Sequence, residues 1–348
     1  MNRSRLDKLF TEHSVDAYIS EAPQTRLWFA GVQTSDGLIV IEKDKATLFV
    51  DGRYIEYAQN HAKNVDIVLM QGNSTKEWFA KKGFKKIALD NNYLVKQVQD
   101  RILYYTGKDV QIHWVDAQEL RIVKDEKEIE TLQKAINISL KAYDKLMEWL
   151  KPGVTEKEAA AYLNYQLKLN GCQKEGFTEI IATGANSAEP HHHPTDKVIE
   201  NNTLLKVDFG GEYNGYTADI TRTIILGGEE NAKDPKMVEI LNIVKEAAAA
   251  GRKAVRPGIK TSEIDKICRD YIAEKGYGKY FVHSTGHGLG IDVHEYPNVG
   301  ATSNFVLEPG MVITVEPGIY IEGLGGARIE DDVLVTENGH RVLTRPNE

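Results

Sequence analysis

The sequence predicts an α+β protein of two domains, the second of which contains an internal repeat. Three observations indicate this architecture. The chain has 348 residues, more than a single domain usually needs. Short strand and helix patterns alternate over residues 1–115, and beyond them a helix-to-hairpin unit occurs twice. We therefore divide the chain into a smaller mixed α/β domain, residues 1–120, and a larger domain, residues 121–348.

The first domain shows short elements separated by charged turns. An amphipathic helix is expected between Arg5 and His13, and a second helix is expected to begin near Asp51 or Gly52. Apolar and β-branched runs bounded by charged residues are typical of strands. Such runs predict strands at residues 37–41, 46–50, 86–90 and 110–115.

A long helix opens the second domain. The charged stretch from Arg121 to Lys127 precedes it, and Lys151-Pro-Gly ends it, because proline cannot continue a helix. Apolar residues recur at steps of three and four, as one buried face of a helix requires. They are Ile129, Leu132, Ile136, Leu140, Tyr143, Met147 and Leu150.

The internal repeat begins directly after this helix. Residues 151–158, Lys-Pro-Gly-Val-Thr-Glu-Lys-Glu, recur as residues 256–263, Arg-Pro-Gly-Ile-Lys-Thr-Ser-Glu, 105 positions later. Each copy should start a helix, with Thr155 and Glu158 as a capping box in the first and Ser262 and Asp265 as a similar cap in the second. Two related halves of this kind would be arranged about a pseudo-twofold axis.

Each half also contains a strand, a Gly-rich turn and a second strand, with one carboxylate on each strand. Asp208 and Asp219 form the first pair, and Glu316 and Glu330 form the second. The residues around them are Val, Ile, Leu and Thr, and a carboxylate among such residues is costly unless it is paired or binds metal. His287, between Gly286 and Gly288, lies between the two hairpins along the chain.

Four carboxylates and one imidazole form an oxygen-rich ligand set for two divalent metal ions. Such hard ligands suit manganese better than an ion that prefers thiolates, although cobalt or zinc would also fit. Two metal ions roughly 3.5–4 Å apart can bridge a hydroxide, lower its pKa and polarise a carbonyl. Asp331 and Asp332, which follow Glu330, are expected to face solvent or to be structural, and His191 to His193 should form a wall of the site.

The composition excludes several other classes of protein. The formal net charge is −8 and the sequence shows no basic stripe, so a nucleic-acid partner is not expected. There are two cysteines and no Cys-x-x-Cys, which argues against a disulfide framework or a thiolate zinc site. The sequence shows neither a signal peptide nor a membrane span, so we expect a cytoplasmic protein with no membrane partner.

These motifs together resemble the proline-specific branch of the pita-bread metallopeptidases, which includes Xaa-Pro dipeptidase (prolidase) and aminopeptidase P. The resemblance extends over residues 120–345, and residues 1–115 resemble the creatinase-type N-terminal domain of that branch, most clearly at residues 36–41 and 48–54. It implies a pita-bread C-terminal domain, a homodimer, and cleavage of peptides that carry proline at position 2.

The resemblance also implies roles for individual residues. Asp219 and Glu330 would bridge the two metal ions, Asp208 would bind one ion, and His287 and Glu316 would bind the other. Glu316 would also serve as general base. His191, His283 and His294 would line the active site, with His294 holding the tetrahedral intermediate or assisting proton transfer, while Arg328 and Thr221 would orient the ligands.

One position departs from the dipeptidase pattern. Dipeptidases of this type often carry an arginine shortly after His-Glu-x-Pro, where it binds the carboxylate of the substrate. Here that run is His294-Glu-Tyr-Pro-Asn298, so Asn298 is a candidate substrate-binding residue and longer Xaa-Pro-Yaa peptides are expected substrates alongside dipeptides. The remaining alternatives are a metal-free binding module on the same fold, a metal-free creatine amidinohydrolase and a nonspecific acidic ion binder.

Overall fold

A computed structural model of the protein describes residues 2–345. The chain divides into two compact units, Met1–Arg121 and Ile122–Glu348. Among the described residues, no helix combines the length and the apolar character that a membrane crossing requires. Cys172 and Cys268 are both buried and unbridged.

The first unit is a mixed six-stranded sheet with helices. The strands are β1 (Ala17–Ser20), β2 (Leu38–Ile41), β3 (Ala46–Val50), β4 (Asp66–Leu69), β5 (Lys86–Asp90) and β6 (Gln111–Val115). The helices are α1 (Ser4–Thr11), α2 (Pro23–Ala30), α3 (Ile55–His61), α4 (Ser74–Lys82), α5 (Lys96–Thr106) and α6 (Ala117–Leu120). The strand order is β4-β3-β2-β1-β5-β6, with antiparallel pairs in β1–β2 and β2–β3 and parallel pairs in β3–β4, β1–β5 and β5–β6.

The start predicted for the helix after β3 is wrong. Asp51 accepts a hydrogen bond from the backbone N–H of Arg53 at 2.8 Å and caps a turn, not a helix. This turn also joins the N–H of Tyr54 to the carbonyl of Asp51, at 3.1 Å, and α3 begins only after it. Short polar side chains favour such local turns over helix starts when both are available.

The second unit contains the two repeated halves. Its helices are α7 (Glu126–Trp149), α8 (Glu156–Leu169), α9 (Pro235–Ala254) and α10 (Thr261–Glu274). The strands of the first half are β7 (Lys174–Glu175), β8 (Ile180–Thr183), β9 (Leu204–Phe209), β10 (Gly211–Tyr213), β11 (Tyr216–Thr217) and β12 (Ile220–Ile225). Those of the second half are β13 (Gly286–Gly288), β14 (Glu295–Val299), β15 (Val312–Val315), β16 (Gly318–Ile321), β17 (Gly325–Arg328), β18 (Asp331–Thr336) and β19 (Gly339–Val342).

The repeat is visible in the helix bounds. Both α8 and α10 have 14 residues, and their first and last residues are 105 positions apart, 156 to 261 and 169 to 274. Thr155 and Glu158 form the predicted capping box of α8. The cap predicted at Ser262 and Asp265 is wrong, because the N–H of Lys260 is accepted by Glu263, at 3.2 Å.

Each half packs its helix pair against its own strands. The core of the first half includes Leu132, Leu163 and Val207, and the core of the second includes Leu241, Ile264 and Val315. Every one of these side chains is at most 1% exposed. Burying an aliphatic side chain of this size contributes about 1.5–3 kcal/mol, so the two cores fix the strands that carry the carboxylates.

Candidate metal centre

The first carboxylate pair lies where an antiparallel hairpin is interrupted. Asp208 is in β9, opposite Thr221 of β12, and Asp219 directly precedes β12. Both aspartates are buried, at 7% and 5% exposure. The backbone at Gly210 lies close to that of Ala218, and only glycine fits there, because a Cβ atom at position 210 would lie 1.7 Å from the carbonyl oxygen of Ala218.

The second pair occupies the equivalent place in the second hairpin. Glu316 directly follows β15, and Glu330 directly precedes β18. These two strands pair antiparallel, with Val315 opposite Asp331. Glu330 is 2% exposed. The two carboxylates of this pair therefore lie at the same end of the paired strands β15 and β18, just as Asp208 and Asp219 lie at one end of the paired strands β9 and β12.

His287 lies on β13 and points at the carboxylates. Its Nδ1 donates to the carbonyl of Gly288 at 3.0 Å, so Nε2 is the atom available to a metal or a proton. That atom is 3.3 Å from Glu316 Oε1 and 3.6 Å from Asp219 Oδ2. The flanking glycines are required, because a Cβ at Gly286 would lie 2.1 Å from the carbonyl oxygen of Thr314 and one at Gly288 would lie 1.9 Å from that of Tyr296.

The geometry and chemistry of these side chains fit a divalent cation. One ligand atom from each of Asp219, His287 and Glu330 lies within 4.8 Å of the other two. Among the described residues, Asp208 Oδ1 and Glu330 Oε1 are buried oxygens with no hydrogen-bond partner. Buried carboxylate oxygens without a partner are costly, and a cation is the ligand that would satisfy them.

The electrostatics of the site also favour bound cations. Burial, together with the neighbouring carboxylates, raises the pKa of Asp219 and of Glu330 well above the ordinary range. Burial is the largest single effect on Glu316 and opposes its ionisation, but the hydrogen bond with His287 together with the charges of His287, His283 and Arg328 outweighs it and lowers the pKa of Glu316 to about 2. A cluster of carboxylates that repel one another in this way is stabilised in its charged form by added positive charge.

Arg328 and Thr221 connect the carboxylates. Arg328 forms an ion pair with Asp208, and its Nε donates to Thr221 Oγ1 at 3.0 Å. The Thr221 hydroxyl in turn donates to Glu330 Oε2 at 2.6 Å. Arg328 Nε also lies 3.9 Å from Glu316 Oε2. Both Arg328 and Thr221 therefore contact candidate ligands. Asp208 binds Arg328 and does not belong to the group formed by Asp219, His287 and Glu330.

The candidate active-site histidines differ in their surroundings. His283 Nδ1 donates to the carbonyl of Ser284 at 2.8 Å, and its Nε2 accepts from the hydroxyl of Tyr320 at 2.9 Å. Burial lowers its pKa, which agrees with a neutral ring. The ring of His294 lies 4.4 Å from that of His287, centroid to centroid. His191, His294 and Asn298 are exposed.

The sequence analysis missed the contacts of Tyr320 and the hydrogen-bond partners of Asp331 and Asp332. The Tyr320 hydroxyl accepts from Arg328 Nη1 at 2.9 Å and thereby links Arg328 to His283. The solvent-facing alternative for Asp331 and Asp332 is wrong, since both are 0% exposed. Asp331 is bound by arginines and a threonine, whereas Asp332 Oδ2 accepts from the N–H of Asp219 at 3.3 Å. The partners of Asp331 are Arg222, Arg252, Thr344 and Arg345.

Comparison with known families identifies the chain. Residues 130–337 match the model of metallopeptidase family M24, and residues 3–123 match the creatinase/prolidase N-terminal domain. The chain belongs to metallopeptidase family M24. The predicted resemblance to pita-bread metallopeptidases and the predicted fold class are therefore confirmed, and membership of family M24 implies divalent metal ions.

Other members of family M24 match over nearly the whole chain. A Xaa-Pro dipeptidase of Pyrococcus furiosus is 38% identical over 347 residues, which cover 99% of this chain and 98% of that one. The solved Xaa-Pro dipeptidase from Bacillus anthracis superimposes with a TM-score of 0.91 at 37% identity, covering 98% and 96% of the two chains. An X-Pro aminopeptidase from Thermotoga maritima has a TM-score of 0.89 at 34% identity, with 95% and 96% covered.

Proposed function

We propose that this chain is a dinuclear metal-dependent peptidase that hydrolyses the bond between an N-terminal residue and proline. Two observations support the proposal. Ligand atoms of Asp219, His287 and Glu330 converge on one place, and two buried carboxylate oxygens at the site, those of Asp208 and Glu330, have no hydrogen-bond partner. The Xaa-Pro dipeptidases of Pyrococcus furiosus and Bacillus anthracis support the substrate class.

In this proposal the five ligands divide between two ions. Asp219 and Glu330 would be shared by both ions, Asp208 would complete the ligands of one ion, and His287 and Glu316 would complete those of the other. Divalent ions held in this way lower the pKa of a bound water and polarise a carbonyl oxygen. Manganese is the proposed metal, because the ligand set is rich in carboxylate oxygen.

The side chains around the ions carry out the remaining steps. Glu316 would act as the general base that accepts a proton from the attacking water. His294, whose ring lies beside that of His287, would hold the tetrahedral intermediate or assist proton transfer. His191 and His283 form walls of the substrate pocket, and we further propose that the enzyme is a homodimer.

The scissile bond is expected to require proline on its C-terminal side. Proline has no N–H and its ring fixes φ, so a pocket shaped for the ring needs no acceptor for an amide donor. We expect kcat/KM for Ala-Pro to exceed that for Ala-Ala by at least about a hundredfold. Steady-state assays with both dipeptides measure this ratio, and equal values would contradict the proposal.

The same assay tests metal dependence. Chelation with EDTA should abolish hydrolysis of Ala-Pro, and addition of Mn²⁺, Co²⁺ or Zn²⁺ in separate reactions should restore it to different extents. A metal-free amidinohydrolase or a metal-free binding module would show no such loss and recovery. A nonspecific ion binder would take up metal but would not hydrolyse the peptide.

Asn298 favours a second substrate class, longer Xaa-Pro-Yaa peptides of the kind that define an Xaa-Pro aminopeptidase. It is exposed on β14, where an arginine would bind the carboxylate of a dipeptide through paired charge-assisted hydrogen bonds. The neutral amide of asparagine suits a continuing backbone at least as well. We expect Asn298→Arg to lower KM for Ala-Pro more than for Ala-Pro-Ala, as measured by initial rates. The proposal would be contradicted if the wild type hydrolysed only dipeptides and if Asn298→Arg left the preference for Ala-Pro over Ala-Pro-Ala unchanged.

A further inference from the structure

A buried carboxylate on α8 holds the chain segment that carries His191. Glu156, the first residue of α8, is 0% exposed. Its oxygens accept hydrogen bonds of 2.6–3.2 Å, all from donors in the segment 183–195. These donors are Thr183 N, Asn186 Nδ2, His192 Nε2, Thr195 N and Thr195 Oγ1. The position of this segment therefore depends on one side chain of the repeated helix.

A second carboxylate, on α10, holds the segment that carries His283. Asp265 is 1% exposed, and its Oδ1 accepts from Thr285 N at 3.1 Å and from Thr285 Oγ1 at 2.9 Å. Arg269 forms an ion pair with Asp265 at 3.0 Å. Arg269 also donates to two carbonyls of the segment 281–285, those of Phe281 at 3.0 Å and His283 at 2.8 Å.

Both segments meet at Arg328. The carbonyl of Pro190, next to His191, accepts from Arg328 Nη1 at 3.1 Å. The same nitrogen donates to the hydroxyl of Tyr320, which contacts His283. The two histidine-bearing segments are thus supported from opposite halves of the repeat and reach one guanidinium group that also binds Asp208.

Helix capping does not account for these two carboxylates. In α8 the N-cap N–H is accepted by Glu158, at 2.8 Å, and in α10 by Glu263, at 3.2 Å. Glu156 and Asp265 instead accept donors from segments far along the chain. A buried carboxylate is costly unless it is well hydrogen-bonded, so each one favours the loop conformation that supplies its donors.

We propose that Glu156 and the Asp265–Arg269 pair are positioning residues, each of which sets the place of one pocket histidine, His191 and His283 respectively. The role of these histidines as pocket walls rests on the proposed function. Neither carboxylate touches the substrate in this proposal; each acts through the histidine of its own half.

The test uses isosteric substitutions in the metal-loaded enzyme. Glu156→Gln and Asp265→Asn should each raise KM for Ala-Pro about tenfold, with kcat reduced less than about threefold and metal content unchanged. The matched controls are Glu158→Gln and Glu263→Gln, which alter an acidic residue in the first turn of the same helix and should leave KM unchanged. If either isostere fails to fold, Thr195→Val and Thr285→Val remove one donor to each carboxylate and should raise KM in the same direction.

Double-mutant cycles separate positioning from a general loss of structure. Glu156→Gln should have no further effect on KM when His191 is already alanine, but should keep its full effect when His283 is alanine. Asp265→Asn should show the opposite pattern. The proposal would be overturned if, in all four double variants, the fold-changes in KM of the two single substitutions simply multiplied. That outcome would not affect the proposed Xaa-Pro hydrolysis by the wild type.

A second readout does not depend on peptidase activity. Diethyl pyrocarbonate acylates neutral histidines, and mass spectrometry of the digested protein gives a rate for each one. Glu156→Gln should change the rate at His191 and spare His283, and Asp265→Asn should do the reverse. Equal changes at both histidines, or none at either, would overturn the positioning roles. Absence of Ala-Pro hydrolysis by the wild type with every metal would instead overturn the proposed function.

Discussion

Replacing Asp219 by asparagine is expected to abolish peptide hydrolysis and to release part of the bound metal. Asp219 lies beside both His287 and Glu330, with one ligand atom from each within 4.8 Å of the others. In the proposed function the Asp219 carboxylate is shared by two metal ions, and asparagine keeps the shape of the side chain but, as a neutral amide, cannot supply that negative charge. We expect kcat/KM to fall by at least about a thousandfold, equivalent to about 4 kcal/mol of transition-state stabilisation.

Asp332→Asn is the matched control for this substitution. Asp332 is also buried, and it contacts the backbone N–H of Asp219 at 3.3 Å. Burial raises the pKa of Asp332 well above the ordinary range, and asparagine keeps the shape of this side chain and an oxygen that can accept from the N–H of Asp219. We expect this variant to keep kcat/KM within about threefold of the wild type.

Two measurements decide between these outcomes. Inductively coupled plasma mass spectrometry gives the metal content after gel filtration, and initial rates with Ala-Pro give kcat/KM. Full metal content and near-normal turnover in Asp219→Asn would show that Asp219 is not a bridging ligand. An equal loss in Asp332→Asn would show that any change in this buried group disables the site, whether or not the residue binds metal.

The hairpins and their carboxylates could be predicted because the relevant signal is local. Asp208 and Glu316 each follow a run of mostly apolar and β-branched residues, where an unpaired charge is costly. The glycines on either side of His287 also carry local information, since side chains there would collide with Thr314 and Tyr296. The regular apolar spacing from residue 129 to residue 150 likewise indicates α7 without any knowledge of its partners.

The partners of the buried charges could not be predicted, because they are distant along the chain. Glu156 meets donors 27 to 39 positions away, and Asp331 meets arginines that lie 109 and 79 positions before it. A sequence pattern identifies a charged residue beside a strand or at a helix start, but not which donors surround it after folding. For that reason Asp265 resembled a helix cap, and solvent exposure remained an alternative for Asp331.

Short elements of the first unit were missed for a different reason. β1 has four residues, all of them buried, and β4 has four residues, none of them fully buried. Neither shows the alternation of buried and exposed positions that identifies a strand in sequence. Their strand conformation depends on pairing, β1 with both β2 and β5, and β4 with β3, and pairing is a property of the folded sheet.

Replacing His294 by alanine is expected to lower kcat while leaving the metal content unchanged. The ring of His294 lies 4.4 Å from that of His287, centroid to centroid, and the residue is exposed, so it adjoins the proposed ligands and remains accessible to a substrate. In the proposed function it stabilises the tetrahedral intermediate or transfers a proton. Loss of such a group commonly costs about 10²–10⁴ in rate.

The control is His61→Ala, which removes an exposed histidine at the end of α3 in the first unit. That variant should retain wild-type kcat and metal content. For His294→Ala, a fall in kcat with unchanged metal content supports a role in the chemical step. Loss of metal would make His294 a ligand instead, and unchanged kcat would remove it from the reaction. Because the acid–base group titrates in the wild type, the variant should also lose one limb of the pH dependence of kcat, a change that a purely structural role would not produce.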